Sequence, residues 1–183
     1  ITLPGKHNVL NAVAALAMAN SCGIAIQVIA KALLTFKGIK RRFSYKINTE
    51  NLVLIDDYAH HPTEINAIKN TVREMYPKKK ILGVFQPHLY SRTRDFVDDF
   101  SESLSKFDEL ILLDIYPARE LPIEGVNSKW LLNKIELENK QLSSKNNLVS
   151  NILKSDAQII VMMGAGDIGE LVGKVKENLT IEN

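Results

Sequence analysis

A chain of 183 residues that is 45% hydrophobic and 24% charged carries enough apolar side chain for one good core and is not disordered. Its 23 basic and 21 acidic residues leave a net charge of +2, too balanced for nucleic acid or a membrane surface to be the main partner. The single Cys22 rules out an internal disulfide. With no signal peptide and no apolar run of spanning length, it points to a reducing, cytoplasmic setting.

The sequence opens at Ile1 without an initiator Met, and residues 1–8 read as the end of a strand in a piece of a longer protein. Residues 8–20, rich in Ala, Val, Leu and Met, predict a buried helix ended by Gly23, and a second helix follows over 26–36. Past Gly38 the pattern changes to strands over 43–47 and 52–55, a helix over 63–75, a strand over 81–85, a helix over 92–106 and a strand over 110–114. A long irregular loop over 115–127 comes next, of the kind that often carries function. A helix over 128–134, a short strand over 140–142, a helix over 146–153, a strand over 157–162 and a last helix from Asp167 complete the chain. Such alternation predicts a Rossmann-like α/β fold, a mostly parallel sheet with helices on both faces. The change of pattern near Gly38 places a domain boundary there, dividing 1–38 from 39–183.

The apolar run Leu52 to Ile55 leads into Asp56-Asp57-Tyr58-Ala59-His60-His61-Pro62-Thr63-Glu64, so two acids and two imidazoles stand where a buried strand becomes a helix. That edge of an open α/β sheet is where ligands bind. Three readings of this loop stay open: a polar ligand site, a metal site using Asp57, His60, His61 and Glu64, and a structural turn in which His61 caps the helix and His60 is a hydrogen bonder. The metal reading lacks matching ligands elsewhere, since the chain has four His and one Cys.

Phe85-Gln86-Pro87-His88-Leu89-Tyr90-Ser91-Arg92-Thr93-Arg94 follows another buried strand and brings His88, Tyr90, Arg92 and Arg94 to the same edge. A guanidinium near a helix start suits a bound carboxylate or phosphate, and the alternative is a surface ion pair of Arg92 with Asp95 or Asp98. Tyr116 to Glu120 adds Arg119 after a third strand. Gly164-Ala165-Gly166-Asp167-Ile168-Gly169 matches Gly-x-Gly-x-x-Gly, but no strand and acid follow about 20 residues on, which argues against a nicotinamide or flavin. Either an anion approaches the helix start here or the turn is structural. Asn8 and Asn11, one turn apart, either cap the first helix or read a base edge.

Taken together, Leu3-Pro4-Gly5-Lys6-His7-Asn8 to Ala12, Arg41-Arg42-Phe43, Asp56 to Ile65, Phe85 to Thr93, Asp114 to Glu120 and Met163 to Ile168 resemble the Mur ligase family, most closely its alanine-adding branch. The resemblance implies that 1–38 is the helical remnant of a central ATPase domain and that 39–183 is the carboxyl-terminal amino-acid-binding domain. It implies ATP-dependent amide formation through an acyl phosphate, with ATP, Mg2+, UDP-N-acetylmuramate and L-alanine as partners. His7, Asn8 and Asn11 would contact adenine, and Arg42 a nucleotide phosphate. Arg42 and Asp57 would serve the chemistry, and Tyr58, His60, His61, His88, Arg92 and Arg119 the L-alanine pocket. The family's phosphate loop and metal ligands have no counterpart here, so the chain alone is expected to be inactive, with self-association through its helical pair. Many family members carry Arg where this chain has Leu89, which leaves Arg92 to act alone or with His61, His88 or Arg119. Two rivals remain: a free-standing nucleotide-binding module, and a metal-dependent hydrolase using Asp57, His60 and His61.

Overall fold

The computed structural model describes residues 3–181. The strand end expected at the amino terminus falls partly on Ile1 and Thr2, outside the described residues. Helices α1 (Lys6–Ser21) and α2 (Ile26–Thr35) precede an alternating series: β1 (Ser44–Asn48), β2 (Val53–Asp57), α3 (Pro62–Met75), β3 (Ile81–Phe85), α4 (Tyr90–Asp95), α5 (Val97–Leu104), β4 (Glu109–Leu113), α6 (Ser128–Lys134), β5 (Lys140–Ser143), α7 (Leu148–Leu153), β6 (Ile159–Met163) and α8 (Ile168–Ile181). The sheet order is β1-β2-β6-β3-β4-β5, with β1 antiparallel to β2 and every other pairing parallel. The mostly parallel α/β sheet expected from the alternation is present.

Strands β2, β3 and β6 are buried along their whole length, as sheet covered on both faces requires. Successive side chains point to opposite faces, so Val53 and Ile55 pack with Ile65, Ile68 and Val72 of α3, Phe100 and Leu104 of α5 and Leu131 of α6. Leu54, between them, packs with Leu148 and Ile152 of α7 and Ile168, Val172 and Val175 of α8. The chain travels across the sheet to β5 at its edge and then turns back, so that β6 inserts between β2 and β3. Asp57 and Phe85 both stand opposite Met163, so three central strands end level at that crevice.

Three expectations need correction. The first helix is not buried: none of its residues is, with Val9 49% and Met18 71% exposed, and α2 buries only Ile29. Its small apolar residues surround the whole circumference rather than forming one stripe, so no single face goes inward. Asn8 and Asn11 do not cap it, because the helix starts earlier, at a Gly5 N-cap with φ 96°, and Asn8 Nδ2 donates back to the Pro4 carbonyl at 2.6 Å. The single helix expected over 92–106 is two, broken at Phe96, whose φ of −115° and ψ of 25° leave the helical region as its ring meets His61 at 4.7 Å.

Candidate active site at the carboxyl edge of the sheet

The β2–α3 loop owes its shape to α3. Pro62 opens the helix, the His61 side chain accepts from the Thr63 amide, and Glu64 reaches back to the amides of His60 at 2.9 Å and His61 at 3.2 Å. This reciprocal capping uses the orphan donors of the first turn. His61 is therefore the helix cap, with Nδ1 taken by Thr63, and His60 is left to face the strand ends.

Tyr58, His60, His88 and Tyr116 form a line of rings across three loops. Ring centroids are 5.4 Å apart for Tyr58 and His60, 6.0 Å for His60 and His88, and 5.6 Å for the stacked His88 and Tyr116. His88 and Tyr116 also pair by backbone, extending β3 and β4 past their ends. Arg92 Nη1 reaches His88 Nδ1 at 3.4 Å. Neither proposed ion pair forms, since Asp95 pairs with Arg94 and Asp98 with Lys134. Among the described residues Arg92 has no carboxylate within salt-bridge distance. Burial, the Arg92 charge and neighbouring His60 all hold the His88 imidazole below its ordinary value, which keeps it neutral and able to accept.

Glu120 was not foreseen from the sequence. Its carboxylate accepts from the Ser91 amide at 2.9 Å and from the Ser91 hydroxyl, latching the 115–127 loop to the start of α4. Those hydrogen bonds hold its carboxyl below the usual range. Arg119 beside it is exposed, and its side chain has no ion pair or hydrogen bond among the described residues.

The two consecutive arginines part company. Arg41, unassigned from the sequence, is the inward one: it donates to Asp56 Oδ1 at 3.2 Å and to the Gly164 carbonyl at 2.5 Å, and lies over the Tyr58 ring. Arg42 stays outside, its side chain 52% exposed, 3.7 Å from Glu64. Asp57 accepts from the amides of Phe43 at 2.6 Å and Ala59 at 2.8 Å, so it fixes the turn that presents Arg42. Burial pushes the Asp57 carboxyl up, against those two amides and the Arg42 charge, which favour the ionised form.

The glycine-rich turn after β6 is filled by the chain itself. Gln86, buried to 1%, accepts from the Ile168 amide at 3.0 Å and donates to Asp167 at 2.8 Å. A side chain at Gly164, with φ +149°, would meet the Gln86 carbonyl at 2.9 Å. The structural alternative for this turn is the one the contacts favour. All four non-glycine residues with positive φ among the described residues, Arg41, Phe43, Leu89 and Ala118, lie around this edge. Strained backbone collects at functional sites, at a cost of about 1–3 kcal/mol each.

His7, Asn8 and Asn11 stand apart from this cluster. His7 lies beside Gly5 and Thr71 of α3, Asn8 is bound to Pro4, and Asn11 is exposed. No group of three or more His, Cys, Asp or Glu able to hold a metal occurs among the described residues. The hydrolase reading, which needs such a group at Asp57, His60 and His61, gains no support.

The family model described as Mur ligase, glutamate ligase domain, matches residues 41–166. The chain belongs to the Mur ligase family. It is 64% identical over 98% of its length to a UDP-N-acetylmuramate–L-alanine ligase of Christiangramia forsetii and 63% identical over 97% to that of Flavobacterium psychrophilum. It spans about 40% of the length of either relative. Among solved structures it is similar to the UDP-N-acetylmuramate-alanine ligase of Thermotoga maritima, with a TM-score of 0.78, 28% identity, and coverage of 99% of this chain and 39% of that one. A ligase domain from Haemophilus ducreyi matches 75% of this chain and 99% of its own, with a TM-score of 0.57 and 23% identity, and shows the same fold standing as a separate chain. Within the Mur ligase frame, the matched segment holds the whole ring cluster, Arg41, Arg42, Arg92 and the first half of the glycine turn, Gly164 to Gly166.

Proposed function

We propose that the full-length protein joins L-alanine to UDP-N-acetylmuramate at the expense of ATP, in the cytoplasm, and that this chain supplies the amino-acid pocket. The observation that carries the reading is Arg92, a guanidinium at the carboxyl edge of the sheet whose one side-chain partner among the described residues is the imidazole of His88. A free α-amino acid needs a charge-assisted contact for its carboxylate, and Arg92 is placed to give it. His88 touches Arg92, His60 and Tyr58 continue the line of rings from it, His61 caps α3 beside them, and Arg119 on the latched loop adds a further cation to the same edge. The names of the relatives support L-alanine as the amino acid.

In this reading ATP phosphorylates the muramate carboxylate and the alanine amine attacks the acyl phosphate. Holding the amine close converts a bimolecular attack into an intramolecular one. Arg42 meets a nucleotide phosphate, and Asp57 is a positioning residue that fixes the Arg42 turn. His7, Asn8 and Asn11 contact adenine from the 1–38 segment, the end of the central domain, and 39–183 is the carboxyl-terminal domain. Mg2+, where it is used, is held by residues beyond this chain.

The test is Arg92→Ala in the full-length enzyme. Loss of a charge-assisted contact to carboxylate costs about 1.5–3 kcal/mol, so the KM for L-alanine should rise about 10- to 150-fold while that for ATP stays near wild type. An unchanged alanine KM would remove Arg92 from the pocket.

A further inference from the structure

Three imidazoles stand at the sheet edge, and their contacts give one of them a different tautomer from the other two. His60 Nδ1 lies 2.9 Å from the Tyr58 carbonyl and 3.3 Å from Glu64 Oε2. Neither oxygen donates, so Nδ1 must carry the proton and the lone pair of the neutral ring is on Nε2. His88 is the reverse: its Nδ1 accepts from Arg92, which leaves the proton on Nε2. His61 is also protonated on Nε2, since its Nδ1 accepts from the Thr63 amide at 3.4 Å as the α3 cap. Only His60 of the three offers an unused basic nitrogen, and its side chain is 23% exposed.

This division matches the two ends of a zwitterion. Arg92 and the His88 Nε2–H are donors for a carboxylate, and the His60 lone pair is an acceptor for an ammonium. Resting on the ligase reading above, we propose that His60, oriented by the Tyr58 carbonyl and Glu64, removes the proton that keeps the incoming amine from attacking. One N–H proton passes to His60 Nε2 and then to solvent. The freed nitrogen pair forms the C–N bond at the acyl carbon, the C–O bond to phosphate breaks, and the second N–H proton leaves with the phosphate as hydrogen phosphate. The carboxylate behind Nδ1 stabilises the imidazolium that forms. The charged or titratable groups against His60 are Tyr58, Glu64 and His88; Arg92 lies behind His88, Arg42 behind Glu64, and Arg41 over the Tyr58 ring.

The experiment uses full-length enzyme with His60→Asn, whose side-chain amide can still donate to the Tyr58 carbonyl but has no basic nitrogen at the Nε2 position. Amide formation with L-alanine near neutral pH should fall about 100-fold or more. What activity remains should climb by about one log unit per pH unit, following the free-amine fraction, where wild type is flat. Hydroxylamine, already neutral near pH 7, should still trap the acyl phosphate as hydroxamate at close to the wild-type rate. Glu64→Gln should show the same pattern more weakly. Equal loss of amide and hydroxamate, or a pH profile parallel to wild type, would overturn the assignment and make His60 structural. A wild-type enzyme that forms neither product from ATP and UDP-N-acetylmuramate would overturn the ligase reading itself.

Discussion

Arg41 and Arg42 are neighbours in sequence with opposite fates, and the difference comes from backbone. Arg41 has φ 58°, which turns its side chain inward to Asp56 and the Gly164 carbonyl while Arg42 faces out. Asp56 is 2% exposed, so Arg41→Ala would leave a buried carboxylate with only Lys46 at 3.5 Å. We expect a loss of about 3 kcal/mol in urea unfolding, with Arg41→Lys restoring only part because one ammonium cannot reach all the acceptors. No periodicity in Lys40-Arg41-Arg42-Phe43 tells which arginine turns in, and the sequence reading assigned only Arg42. His88 gives a pH signature. Its folded value lies below the ordinary one, so the unfolded chain takes up the proton first. That contribution to stability is whole above the ordinary imidazole value and is lost as pH falls through it towards the folded value. Unfolding midpoints should therefore drop between about pH 7 and pH 5, and His88→Gln should flatten the slope.

Elements differ in how openly the sequence declares them. The strands stand out because burial on both faces demands unbroken Val, Ile and Leu, and α3 because Pro62, Glu64 and its helical spacing agree. The break at Phe96 was hidden, since it depends on a contact with His61 across the fold. The insertion of β6 between β2 and β3 is a non-local pairing that no local pattern specifies. The glycine motif was visible, but its filling by Gln86, 78 residues before Gly164 in sequence, was not. That filling makes a prediction at the turn. A side chain at Gly166 would lie 2.5 Å from Gln86 Oε1 and 2.7 Å from Tyr116 Cγ. Gly166→Ala should cost about 1–3 kcal/mol of stability and, by displacing the ring that stacks on His88, raise the alanine KM of the full-length enzyme.

At the scale of the whole molecule the helical pair and the sheet differ in how much they bury. The sheet and its two helical layers enclose two contiguous apolar clusters, so cooperative unfolding is expected of 39–183. The helical pair instead exposes Val9, Leu10, Val13, Met18, Val28 and Leu34. Self-association of 1–183 should follow and should disappear on removing 1–38, as sedimentation can measure. No helix among the described residues is long and apolar enough to cross a membrane. In the proposed reading this chain supplies the amino-acid pocket, and phosphoryl transfer depends on groups that other parts of the full-length protein supply. The decisive measurement is phosphate release with ATP, Mg2+, UDP-N-acetylmuramate and L-alanine, run on the full-length protein and on 1–183 side by side. Alanine-dependent release by the full-length protein and none by 1–183 is the predicted result; no release by the full-length protein, or turnover by 1–183 alone, would contradict it.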